Sequence, residues 1–203
     1  YSKKAYKMLL ILHEKSIVTW VSHVKSVLCD NGFEQVWIFG CGSEKHFYTE
    51  LRYRMFSSFC HRWRNHIDES KYMSFYGQYK HIFARETYIT SLWKDVYRNT
   101  LAQFRMGVSQ LKVHKFRFSK TEENTLCPVC CKEPETEIHF LFECKCYSDL
   151  RTKYLSFCDS GECSEEKISK LFNEESTGHL VNLSKFIVQA FQVRSLKDKQ
   201  QRQ

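Results

Sequence analysis

Apolar side chains return every three to four positions along much of this chain, the period of helices that bury one face. Trp20, Val21, Val24, Val27 and Leu28 predict one such helix. Thr19 is placed to cap its start, and Asn31-Gly32 supplies a left-handed stop beyond its end. Gly40 to Ser43 is the next break. From residue 44 to about residue 65 the spacing predicts a long helix, with Phe47, Leu51, Met55, Phe59 and Trp63 at i+4 intervals read as core. Arg52, Arg54, Arg62 and Arg64 alternate with them. A Tyr- and Phe-rich stretch over 69–83 also reads as helical, and a further helix is expected over 89–104, with Leu92, Val96, Thr100 and Phe104 on one side. Arg105-Met-Gly107 ends it, since glycine weakens a helix. Residues 147–157 form a short amphipathic pattern with Leu150 and Tyr154 on one face. Ser164 ahead of Glu165-Glu166 looks like the capped start of a helix through Leu171 and Phe172. Leu183, Phe186, Ile187, Ala190, Phe191 and Arg194 mark a last helix, followed by a polar tail from Lys197.

Composition agrees with a mainly α chain. Seven Gly and two Pro in 203 residues are too few for the tight turns of an all-β protein. Apolar residues at 42% and charged ones at 27% exclude a disordered polyelectrolyte. The longest apolar run, residues 8–12, is far short of the roughly 18 to 20 residues of a membrane span. No period of about 20 to 50 residues recurs, which excludes solenoids. The chain opens on Tyr1, a start that leaves a missing N-terminal part or a removed signal peptide open.

The net charge of +8 is unevenly spread. Residues 44–120 hold 15 basic and 6 acidic side chains, net +9, and residues 121–170 hold 6 and 11, net −5. Such asymmetry points to a polyanion partner for the middle of the chain; a solvated basic surface is the alternative. His61 and His66, five apart among arginines, read as part of this basic face, with a ligand pair as the alternative, and Glu86 and Asp95 read as isolated helix-surface acids.

Ten cysteines and nine histidines are the unusual counts. Cys127-Pro-Val-Cys130 followed by His139-Phe-Leu-Phe-Glu-Cys144 has the spacing of a structural zinc site. A Cys-x2-Cys turn brings two thiolates to one ion at about 2.3 Å, and His139 and Cys144 supply the other two tetrahedral corners. With four protein ligands no corner is left for an activated water, so such a site is structural. Cys131 and Cys146 are adjacent spares that can swap in. A disulfide framework is a second reading, and free buried thiols a third, the latter applied to Cys29, Cys41, Cys60, Cys158 and Cys163. The chain then divides into a basic α-helical region (1–120), a CCHC zinc-binding segment (121–157), and C-terminal helices with a polar tail (158–203).

These residues resemble a known family. Phe104-Arg-Met-Gly-Val108, Leu111, Cys127-Pro-x-Cys130, then Glu135-Thr136-x-x-His139-Phe-Leu-Phe-x-Cys144-x-x-Tyr147-x-x-x-Arg151 look like the zinc-binding region C-terminal to the polymerase of non-LTR (LINE-type) retrotransposon reverse transcriptases. Trp20-Val-x-His-Val-Lys, Asn31-Gly-Phe, residues 85–104 and Phe186-Ile-Val-Gln-Ala-Phe-x-Val-Arg194 are similar to invertebrate copies of such elements. The resemblance implies Zn2+ on Cys127, Cys130, His139 and Cys144, with Arg105 and Gly107 leading into the finger and Tyr147 and Arg151 on the helix after it. It also implies an upstream polymerase domain outside this chain, and a role in holding element RNA or target DNA. The chain departs from the pattern at Cys131, where glycine is common, at Lys145, where proline is frequent, and in the eight residues before His139.

No paired-carboxylate polymerase motif, phosphate loop or nucleophile elbow occurs, so this stretch reads as a binding module and not an enzyme by itself. Arg52, Arg54, Arg62, Arg64, Arg98 and Arg105 are the candidate phosphate contacts, beside Tyr, Phe and Trp rings. The alternative is a zinc-stabilised helical scaffold or protein-interaction remnant without nucleic-acid binding. Reduced thiols and the resemblance together imply the cytoplasm and nucleus, with no membrane and no small-molecule substrate.

Overall fold

The computed structural model describes residues 3–15, 19–40, 43–119, 125–158, 165–173 and 175–201. Helices carry it, as the periodicity predicts, and the one β pairing among these residues is an isolated antiparallel bridge between Leu126 and Pro134. No described helix is long and apolar enough to cross a membrane. The chain forms two units, Tyr1–Trp63 and Arg64–Gln203.

The first unit holds α1 (Lys3–Glu14), α2 (Trp20–Asp30), α3 (Glu34–Phe39) and most of α4 (Glu44–Glu69). The expected stop at Gly32 is present, but the Thr19 hydroxyl makes no capping hydrogen bond. Thr19 lies in extended backbone just ahead of α2, and its N–H donates to Ser22 Oγ at 3.4 Å. Gly32 takes φ +72°, which lets the Gly32 and Phe33 amides turn back onto the Cys29 and Leu28 carbonyls. The Phe33 ring then meets Phe47 edge-on at 5.4 Å, and the Arg54 guanidinium lies 4.5 Å from the Phe33 centroid. Val21 and Leu28 are the buried residues of α2, and α3 has none. The i+4 stripe of α4 is not the core that its spacing predicts. Phe47, Leu51 and Trp63 are half-buried, Met55 and Phe59 are exposed, and Ile67 is the buried residue of this helix. An apolar stripe is buried only where other elements converge on it, and periodicity carries no information about convergence.

The second unit comprises the last turn of α4, α5 (Ser74–Tyr79), α6 (Thr87–Ser91), α7 (Asp95–Arg105), α8 (Lys112–Phe118), α9 (Ser148–Tyr154), α10 (Glu165–Phe172) and α11 (Thr177–Gln201). Four expectations need correction. The 69–83 stretch is helical only over α5. The 89–104 helix is two helices, because Leu92 adopts extended backbone that carries its side chain into the core. Asp95 then restarts the helix, a favourable acid in the first turn. The 147–157 pattern ends as a helix at Tyr154, and the expected polar tail is helical through Gln201. Ser164 lies outside the described residues.

The core of this unit is aromatic. Tyr79 stacks on Phe172 at 4.8 Å, Phe75 meets Phe172 at 5.5 Å, and Phe140 lies 5.0 Å from Phe191. α11 packs on α6, α7 and α9, and α5 packs on α10. Gly107 is at φ +69°, and a Cβ there would lie 2.8 Å from the Tyr72 carbonyl, so the end of α7 requires glycine.

Candidate metal centre

The Leu126–Pro134 bridge closes a loop whose two strands are tied by Cys127 N–H to Glu133 O at 2.7 Å and Glu135 N–H to Thr125 O at 2.8 Å. Within the loop the Cys131 amide returns to the Cys127 carbonyl at 2.8 Å, a tight turn that sets Cys127 and Cys130 on one side. The turn leaves through Cys131 at φ +54°, a left-handed conformation that explains why glycine suits this position. His139 follows Thr136, whose hydroxyl accepts the His139 amide at 3.0 Å. Residues His139–Glu143 then make a single π-helical turn, closed by the Cys144 amide on the His139 carbonyl at 2.8 Å. Five residues apart on an α-helix, the two side chains would diverge; the wider π turn returns them to the same face.

The result brings the four sequence-predicted residues together. Cys127 Sγ, Cys130 Sγ, the His139 ring nitrogen and Cys144 Sγ lie within 4.8 Å of one another, close enough to hold a metal ion. Cys127, His139 and Cys144 are buried and Cys130 is half-buried. His139 Nε2 lies 3.4 Å from Cys130 Sγ, so Nε2 is the ring nitrogen that faces the cluster. Its Nδ1 is buried without a hydrogen bond, with the Glu143 carboxylate 3.8 Å away as the group able to orient it.

The electrostatics fit a cation. Burial, reinforced by the neighbouring Cys127, Cys130 and Cys146 thiols, pushes the Cys144 thiol far above its ordinary value. Burial also raises Cys127, against the opposing amides of Cys130 and Val129. Burial acts on Cys130 too, but the Lys132 and Glu133 amides and the Cys127 and Cys144 thiols outweigh it and lower this thiol. Several thiolates cannot share so small a volume unless a positive charge sits among them. Three sulfurs and one imidazole nitrogen are the donor set of structural zinc.

Cys131 and Cys146, the sequence-level spares, stand apart from the four. Both are exposed, with sulfurs 3.8 Å from the Pro128 and Val129 carbonyls. Cys29, Cys60 and Cys158 are half-buried, not fully buried as expected. Cys41 and Cys163 lie outside the described residues.

The candidate phosphate contacts part company. Arg52 and Arg62 are exposed on α4. Arg54 pairs with Glu50 at 2.9 Å, Arg64 with Asp68 at 2.7 Å, and Arg98 with Asp95. Arg105 is a correction. It is 1% exposed, bonds Glu86 and the Phe172 carbonyl, and lies 4.9 Å from the Tyr79 centroid. A guanidinium sealed inside the core by α7 packing cannot reach a polyanion. Glu86 is likewise no surface acid, for it binds Arg105 at 2.7 Å, Lys80 at 3.1 Å and the Tyr76 hydroxyl at 3.1 Å.

The sequence reading passed over a buried ion pair behind the centre. Arg194 grips Glu135 at 2.6 and 3.1 Å, and Glu135 also accepts the Lys112 amide at 2.7 Å. A signal existed: Arg194 continues the Leu183, Ile187, Ala190 stripe of α11, a charge at a core position. His114 was passed over as well. The Ser109 amide donates to its Nδ1 at 3.1 Å, which leaves the proton on Nε2 to be donated to Glu137 at 3.0 Å.

Compared with family models, with curated proteins and with solved structures, the chain matches none.

Proposed function

We propose that this chain is a zinc-stabilised helical module that binds nucleic acid, of the kind found C-terminal to the polymerase in non-LTR retrotransposon reverse transcriptases. What supports this reading is that the residues carrying the likeness interlock around one centre. Cys127, Cys130, His139 and Cys144 converge, Thr136 caps the His139 turn, and Arg151 donates to the Cys144 carbonyl at 2.5 Å. Tyr147 packs under Phe140 at 5.2 Å, Gly107 has no room for a side chain, and Glu135 meets Arg194.

Zn2+ on these four ligands is structural, so the module acts by holding other molecules and not by chemistry of its own. The nucleic-acid part rests on the net +9 of residues 44–120, of which Arg52 and Arg62 remain exposed. The test is a titration of the zinc-loaded chain with labelled single-stranded RNA and duplex DNA over a salt series. Log affinity should fall linearly with log salt, by about 0.7 per phosphate contacted on a single strand.

A second reading, a zinc-stabilised scaffold without nucleic-acid binding, is favoured by one observation. Arg105 and Arg194 serve the interior, and Arg54, Arg64 and Arg98 are already paired with acids. Absence of binding at near-physiological salt selects that reading.

A further inference from the structure

The second unit contains a cavity of about 370 Å3 apart from the Cys/His cluster. It lies where the connection between α5 and α6 (residues 80–86) faces the chain between α10 and α11, with Tyr88, Phe172 and Leu180 in its apolar wall. That volume falls within the range of about 300–1,000 Å3 that small-ligand sites occupy. Its charge is unbalanced. Lys80 and Arg105 are both sealed, their side chains 10% and 2% exposed, and they share the single carboxylate of Glu86 at 3.1 and 2.7 Å. A second cation in a low-dielectric interior calls for a second anion. Of the two it is Lys80 that lines the cavity. Its ammonium has three donors, and Glu86 and the Ala84 carbonyl at 3.4 Å occupy two of them. Arg85 lines the same cavity, is exposed, and forms no hydrogen bond or ion pair among the described residues. His81 adds a neutral donor: Arg64 donates to its Nδ1 at 3.2 Å, which leaves the ring proton on Nε2.

We propose that this cavity is a binding site for a nucleoside monophosphate. The phosphate takes the Lys80 ammonium, the His81 Nε2–H and the Arg85 guanidinium. A phosphoryl head offers three acceptor oxygens to these three groups, where a carboxylate offers only two. Inorganic phosphate does not account for the rest of the wall. Asn173 uses its amide N–H groups on the Tyr79 carbonyl at 2.8 Å and Ser169 Oγ at 3.1 Å, so its Oδ1 remains an acceptor. Glu175 is a second acceptor on the wall, and a carboxylate in an anion site suits the ribose hydroxyls. Tyr88 and Phe172 then cover the base. The site goes beyond the module reading above and stands whether or not the basic helices hold a strand. Its ligand has two sources, a free nucleotide or the 5′-phosphorylated end of a strand.

The test is isothermal titration calorimetry of the full chain with AMP, adenosine and inorganic phosphate, followed by competition against AMP. The competitors are strands of about twelve nucleotides with and without a 5′-phosphate. AMP should bind at least about tenfold more tightly than adenosine or inorganic phosphate, the factor that one charge-assisted hydrogen bond supplies. Arg85→Gln changes an exposed side chain and should weaken AMP binding by about tenfold, with the Tm of the free protein unchanged. Lys80→Met removes the excess buried cation and keeps Arg105 paired with Glu86. It should weaken AMP by about tenfold or more without lowering Tm. Where the 5′-phosphate makes the strand the better competitor, the strand end is the source; where it makes no difference, the free nucleotide is. AMP that binds no more tightly than adenosine or inorganic phosphate overturns the site. So does an Arg85→Gln variant that binds AMP as the wild type does.

Discussion

Residues 1–63 and 64–203 are patterned alike, each with amphipathic helical spacing and abundant aromatics. Their outcomes differ. In the second unit the stripes of α5, α6, α7, α9, α10 and α11 meet in one aromatic core that also contains Cys127 and Cys144. In the first, buried apolar side chains are confined among the described residues to Val21 and Leu28, while Trp20, Ile38, Phe39 and Tyr53 are exposed. Patterning makes helices; burial needs stripes that face a common point, and the second unit has a Cys/His cluster able to hold a metal ion and buried ion pairs to fix those directions. The lesson is that similar local periodicity can produce a core in one region and a displayed surface in another.

The strongest way to break the comparison is to remove the centre. Cys127→Ser, or chelation of the wild type, should abolish about one zinc per chain by elemental analysis. A structural zinc contributes about 10–16 kcal/mol of apparent folding free energy, as large as the usual 5–15 kcal/mol net stability of a domain. The second unit should therefore lose its near-ultraviolet aromatic signal, with helicity of the first retained. A metal-free chain that keeps a sharp melting transition would sink the zinc proposal.

Next come substitutions inside the second unit. Phe104→Ala empties a position at the crossing of Phe75, Phe140 and Phe172 and should cost about 3–5 kcal/mol in urea unfolding. Arg194→Met leaves Glu135 buried without its partner and should cost a comparable 3–5 kcal/mol or so. The matched change in the first unit, Phe39→Ala, removes an exposed ring and should stay within about 0.5 kcal/mol. A similar cost at Phe39 would mean that the contrast between the units does not exist. Cys131→Gly offers a finer adjustment. It relieves the left-handed strain at φ +54° and should raise the second unit's stability by about 0.5–1 kcal/mol, read as a small upward shift in Tm.

The candidate ligand set was legible because it is local: Cys127, Cys130, His139 and Cys144 lie within eighteen residues, at a spacing that suits a tetrahedral ion. The glycine stops at Gly32 and Gly107 were legible for a similar reason, since a left-handed residue announces itself by type. The split between α6 and α7 was not, because Leu92 leaves the helix to fill a core built from distant elements. Nor was the burial of Arg105: its partners Glu86 and Phe172 are 19 and 67 residues away.

By itself, then, the sequence determined the helical class, the four Cys and His residues that come together and the turn points, all of which depend on neighbours along the chain. Tertiary structure alone decided which charges work inside and which face water. Arg105 and Arg62 differ in nothing that their side chains reveal. One is enclosed where α7 meets Tyr79 and Phe172, and the other stands on an open face of α4. Whether a guanidinium serves the core or a partner depends on which distant atoms surround it, and helical periodicity does not encode distance across the fold.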